Sequence, residues 1–127
     1  MEREAFEDWL DRYGKAWETR DPIGAVALFS EDALYEETPL SEPMRGRDAI
    51  LEYWSNVPRS QENITFEHEI VTITGNTGIA LWRASYDPLP DAGERVAIDG
   101  VLFASFDEND RCSRFREWWH STQPPSF

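Results

Sequence analysis

Apolar residues in the first third of the chain recur every three to four positions. Phe6, Trp9, Leu10, Tyr13 and Trp17 fall on one face of a helix. Asp21-Pro22 then has the form of an N-cap followed by proline at the first helical position. Ile23, Val26, Ala27 and Phe29 supply the face of a second, short helix. Ala33 to Glu37 reads as a short strand, and Thr38 to Arg45, with two prolines, as a loop. Gly46-Arg47-Asp48 opens a third helix with Ile50, Leu51, Trp54 and Val57 on its face, stopped by Pro58.

Beyond Pro58 the period changes from between three and four to two. Asn63 to Thr74 alternates, with Ile64, Phe66, His68 and Ile70 on one face. Gly75-Asn76 is a turn, Thr77 to Tyr86 the next strand, and Glu94 to Phe106 another. Asp107 to Asp110 turns the chain again, and Arg111 to His120 is the last strand. Helices followed by long antiparallel strands define an α+β class. The expected architecture is a cone-shaped roll: three N-terminal helices packed on a curved, mainly antiparallel sheet, because a twisted sheet of long strands curls. Residues 1–122 are expected to form one domain, with 123–127 as a frayed C-terminal tail.

Composition narrows the partners. The net charge is −13, which argues against nucleic acid and anionic membranes, since phosphate binding needs clustered cations. No run approaches the ~20 apolar residues of a membrane span. The acidic, amphipathic start is unlike a secretory or transit peptide. The single cysteine, Cys112, excludes an internal disulfide, and a reducing cytoplasm is the simplest compartment. Six Trp, seven Phe and four Tyr make a bulky interior. Those rings either line a cavity for an apolar ligand or fill the core and an oligomer interface.

Two stretches carry a family resemblance. They are Tyr13-Gly-Lys-Ala-Trp-Glu-Thr-Arg-Asp-Pro-Ile-Gly-Ala-Val-Ala-Leu-Phe-Ser-Glu-Asp-Ala and Tyr35-Glu-Glu-Thr-Pro-Leu-Ser-Glu-Pro-Met-Arg-Gly-Arg-Asp-Ala-Ile. Both resemble the nuclear transport factor 2-like superfamily, in its SnoaL-like and ketosteroid-isomerase-like branch, and the order of elements matches over nearly the whole chain. The resemblance implies an α+β cone, a deep apolar pocket between helices and concave sheet, and a homodimer packed through the outer sheet face. It does not select a function, because the fold carries isomerases, cyclases, epoxide hydrolases, dehydratases and non-catalytic binders.

Aligned on Ser41-Glu42-Pro43 and Gly46, Glu37 stands where the isomerases keep their general-base aspartate. A carboxylate on an apolar wall suits that role, since desolvation raises its pKa toward the working pH. The alternative is that Glu36 and Glu37 are neighbouring strand acids, one inward and one outward. Tyr13 matches the oxyanion-hole tyrosine, and it also simply continues the apolar face of the first helix. The isomerases' third element, a protonated aspartic acid, is matched by Leu102, while Asp99 falls on the opposite strand face. Trp54 replaces a supporting tyrosine in the third helix.

Glu117 shares a strand face with Phe115 and Trp119, the face the alignment turns inward. An inward Glu between aromatics either has a raised pKa or pairs with a cation, and Arg83, also counted inward, is the natural partner. The Arg-x-Asp pair of the epoxide hydrolases is not matched, because the strand reads Arg83-Ala84-Ser85. His68 sits among apolar residues as either a proton shuttle or a hydrogen-bonded core residue. His68 and His120 are far apart, with no His-x-x-x-His or Cys cluster, so no metal is expected. No phosphate loop or dinucleotide motif is present, so no cofactor is expected either. Trp17, Trp54 and Trp119 join His68, Arg83 and Leu102 as the candidate ligand-binding set, while Trp82 and Trp118 are assigned to the outer face. Two readings follow. One is a cofactor-free acid/base enzyme for a hydrophobic cyclic carbonyl compound, using Tyr13, Glu37 and Glu117. The other is a non-catalytic apolar-ligand binder or dimeric scaffold.

Overall fold

A computed structural model describes residues 1–90 and 93–122. The expected C-terminal tail, 123–127, lies outside the described residues. Helix α1 spans Arg3–Glu18 and buries Phe6, Trp9, Leu10, Tyr13 and Trp17, the stripe set by the 3.6-residue period. Asp21 caps α2 (Pro22–Val26) by accepting a hydrogen bond from the Gly24 amide at 3.0 Å.

Phe29 departs from expectation. It leaves the helix and opens strand β1, Phe29–Glu36, four residues earlier than the pattern indicated. The cause is long-range: Phe29 pairs with Cys112, whose amide donates to the Leu28 carbonyl at 2.9 Å. Within the expected loop, Met44–Arg45 forms a two-residue strand β2 against Leu34 and Tyr35. Gly46, at φ +85°, then turns the chain into α3 (Arg47–Asn56), a conformation side chains disfavour. A single 3₁₀ turn, Val57–Ser60, follows where Pro58 ends the α-helix.

Four long strands complete the chain: β3 (Gln61–Thr74), β4 (Thr77–Pro88), β5 (Val96–Phe106) and β6 (Cys112–Ser121). They build one curved six-stranded sheet in the order β2-β1-β6-β5-β4-β3. Only β1 and β6 are parallel. The fold is therefore α+β and mainly antiparallel, with β1 and β2 interposed between α2 and α3.

Register sets the inner face in rows across β4, β5 and β6: Gly78–Ala104–Phe115, Ala80–Leu102–Glu117 and Trp82–Gly100–Trp119. Small residues in these rows admit rings. A Cβ at Gly100 would lie 2.9 Å from both Trp82 Cε2 and Trp119 Cβ, so no side chain fits there. Tyr35, Phe6, Phe29, Phe115, Leu10 and Ile50 are wholly buried between this face and the helices. Among the described residues no helix is long and apolar enough to cross a membrane.

Candidate functional site

The interior is aromatic, with a small set of polar groups gathered where β1, β6, α1 and α3 meet. The hydroxyls of Tyr13 (α1) and Tyr35 (β1) are 3.0 Å apart and hydrogen-bonded. Tyr35 stacks on Phe115 with ring centres 4.6 Å apart, and Tyr13 stacks on the same ring at 5.5 Å. Tyr53 of α3 lies 5.3 Å from Tyr35 and is hydrogen-bonded to the Glu37 carboxylate. All three phenols are held well above their ordinary pKa, first by burial and then by the charge of Glu117. They therefore persist as neutral donors.

Glu117 is 6% exposed and occupies the inner face of β6, opposite Leu102. Among the described residues no cation and no hydrogen bond reaches its carboxyl group. Burial pushes its pKa well above the carboxylate range, and the charge of Glu37 pushes it further. Glu37 follows directly on β1, whose parallel register (Tyr35 with Phe115, Glu36 with Arg116) carries it toward Glu117. Its backbone carbonyl accepts a hydrogen bond from the Trp119 indole at 3.2 Å.

Trp17 packs against Trp54, Phe66 and Trp82, and its indole donates to Gln61 Oε1 at 2.7 Å. Trp54 stands nearly perpendicular to Tyr13, Tyr35 and Tyr53. The indole nitrogens of Trp54 and Trp82 are buried without a hydrogen-bond partner. Buried donors left unpaired cost free energy.

Three expectations are corrected here. Arg83 does not turn inward: Ala80, Trp82, Ala84 and Tyr86 take the inner face of β4, and alternation puts Arg83 outside. Its side chain is 74% exposed and meets Asp99 at 3.4 Å, so the Arg83–Glu117 pair does not form. By the same alternation Trp82 is buried inside, not outside. Trp118 is on the outer face as expected, 5.5 Å from Phe103 with the Arg116 guanidinium over both rings. His68 is on the inner-face row but beyond the aromatic cluster, and it bonds Glu7 of α1 rather than the interior polar groups.

Tyr35 and Tyr53 were missed by sequence reasoning, and each had a signal. Tyr35 is two residues from Glu37, so it shares its strand face. Tyr53 adjoins Trp54 and follows Ile50 by three, on the buried side of α3. With Trp54 where the isomerases have a tyrosine, Tyr35 is the residue that hydrogen-bonds Tyr13.

A curved, mainly antiparallel sheet closed by helices is the architecture of the nuclear transport factor 2-like class. Residues 10–115 match the SnoaL-like domain, and the chain belongs to that family. Among solved structures it is similar to SalBIII, described as an epoxide hydrolase/cyclase-like enzyme in pyran ring formation in the polyether salinomycin. That likeness has a TM-score of 0.79 at 20% identity, over 94% of this chain and 95% of that one. It is also similar to RV0760c from Mycobacterium tuberculosis, with a TM-score of 0.80 at 12% identity over 96% and 98% of the two chains. At these identities the likeness is one of fold. No curated protein matches the sequence.

Proposed function

We propose that this chain is a small-molecule-binding SnoaL-like protein that performs cofactor-free acid/base catalysis on a hydrophobic cyclic carbonyl compound. The observation that carries the reading is Glu117, a carboxyl buried among aromatics with no cation, beside a second carboxylate at Glu37. Glu37 removes a proton from carbon next to the carbonyl, and the developing enolate oxygen is met by neutral donors. Tyr13, receiving a hydrogen bond from Tyr35, directs its own proton to that oxygen. Glu117 gives the second donor. The isomerases place a protonated aspartic acid at the position of Leu102, and Glu117 faces Leu102 across the β5–β6 register. The same kind of group is thus delivered from the neighbouring strand. Returning the proton to another carbon completes an isomerisation; attack of the enolate carbon on a second carbonyl of the same molecule, whose π bond opens and whose oxygen takes up the proton, completes an aldol-type cyclisation. Trp17, Trp54 and Trp119 supply the apolar walls of a cone, and the unpaired indoles of Trp54 and Trp82 offer further donors. A homodimer packs through the outer sheet face, where Val71 and Leu81 are exposed beside Phe103 and Trp118.

The test is deuterium exchange. A panel of apolar cyclic ketones is incubated with the protein in heavy water, and α-carbon exchange is followed by NMR. Exchange above the buffer rate, abolished in E37Q and slowed about 100-fold or more in E117L, is the expected result. Saturable binding of the same ketones with no exchange in the unmodified protein would overturn catalysis and leave the non-catalytic binder.

A further inference from the structure

We propose that Glu7, Asp11 and His68 form a binding site for a divalent transition-metal ion of the zinc class, on the outside of the α1–β3 seam. Glu7 and Asp11 are four residues apart on α1 and so project from one side of it. His68 reaches them from β3. Its Nε2 is 2.7 Å from Glu7 Oε1 and 3.6 Å from Asp11 Oδ1, and one ligand atom from each of the three lies within 4.8 Å of the others. Ligand atoms held about 2.0–2.1 Å from a tetrahedral ion are separated by roughly 3.3 Å. The side chains of Glu7 and Asp11 are 49% and 64% exposed and free to adjust by that much. His68, 11% exposed and packed near Phe66, is the fixed member.

The electrostatics favour a cation. Carboxylates four apart on a helix repel. One imidazole proton can satisfy only one of them, whereas a dication satisfies both. Among the described residues no lysine or arginine forms a salt bridge with either acid; the neighbouring Arg12 is engaged with Asp8 at 3.0 Å. A net charge of −13 raises the local concentration of any cation. One imidazole nitrogen with two carboxylates suits zinc and its neighbours better than magnesium or calcium, which favour oxygen alone. The remaining coordination positions face solvent. An ion there would tie α1 to β3 from outside, independently of the interior acid pair.

Tag-free, chelator-stripped full-length protein is titrated with zinc chloride by calorimetry near neutral pH, with long-range proton–nitrogen NMR of the histidines. The expected result is one saturable site, a displaced His68 Nε2 resonance, and no displacement by equimolar magnesium. H68N weakens the site about 100-fold, and E7Q/D11N, which alters only exposed side chains, does so without unfolding. H120Q leaves it unchanged. No saturable heat, equal affinity in both cluster variants, or loss of binding in H120Q would each overturn the proposal.

Discussion

On the outer face of β6, Arg114 meets Glu36 at 3.0 Å; three residues further, on the inner face, Glu117 lies opposite Leu102 and meets no cation. The same contrast holds across β4, where Arg83 outside has Asp99 and Trp82 inside has an unpaired indole. Outside, charge is plentiful, paired and screened by water, so each pair contributes little. Inside, polar groups are few and walled in by rings, so their pairing is set by the protein rather than by water. The sheet thus separates a solvated face from a face on which burial disfavours the charge of a carboxyl group.

The largest test of that contrast attacks the rings that exclude water. Phe115 is fully buried and touches Tyr13, Tyr35, Trp9 and Phe29. Truncating it, F115A, is expected to cost about 3–5 kcal/mol in urea unfolding. A loss below 1 kcal/mol would mean that the stack is not a packed unit.

A smaller effect is expected at Glu117 itself. Its folded pKa lies above the unfolded value of 4.5, so above that pH the native state keeps a proton the unfolded chain releases. Stability contributed by this group is therefore complete below 4.5 and declines as pH rises toward the folded pKa, then levels. E117Q, neutral at every pH, is expected to abolish that slope, and E117L to stabilise the protein at pH 8 by roughly 1–3 kcal/mol. An unchanged slope in E117Q would show that the carboxyl is ionised or solvated in the native state.

Comparable in size is the close approach at Gly100. G100A forces a methyl against Trp82 and Trp119 and is expected to cost about 1–3 kcal/mol of thermal stability. The smallest effect belongs to the outer face: R83A removes an exposed pair and should shift stability by less than about 0.5 kcal/mol. A larger loss there would erase the distinction between the faces.

The helices and four long strands were legible because period and punctuation are local. The stripe from Phe6 to Trp17, the cap at Asp21 and the stop at Pro58 each act within a turn or two of chain. The start of β1 was not legible, because Phe29 is extended by its pairing with Cys112, more than eighty residues away. The inward set on β6 followed from alternation once its phase was known. The phase of β4 was taken with the opposite sign, which placed Arg83 inside and Trp82 outside. A strand's sequence gives two faces but not which of them meets the helices.

By itself, then, the sequence determined the class of elements, the α+β order, the family resemblance and the acidic, aromatic character of the chain. Only the tertiary structure decided which charges meet. It separated Arg83 from Glu117, joined Tyr35 to Tyr13 and Tyr53 to Glu37, and brought His68 against Glu7 and Asp11. The physical reason is that local periodicity depends on near neighbours along the chain. The environment of an ionisable group depends on strand phase and register, and those are fixed when the whole inner face packs at once.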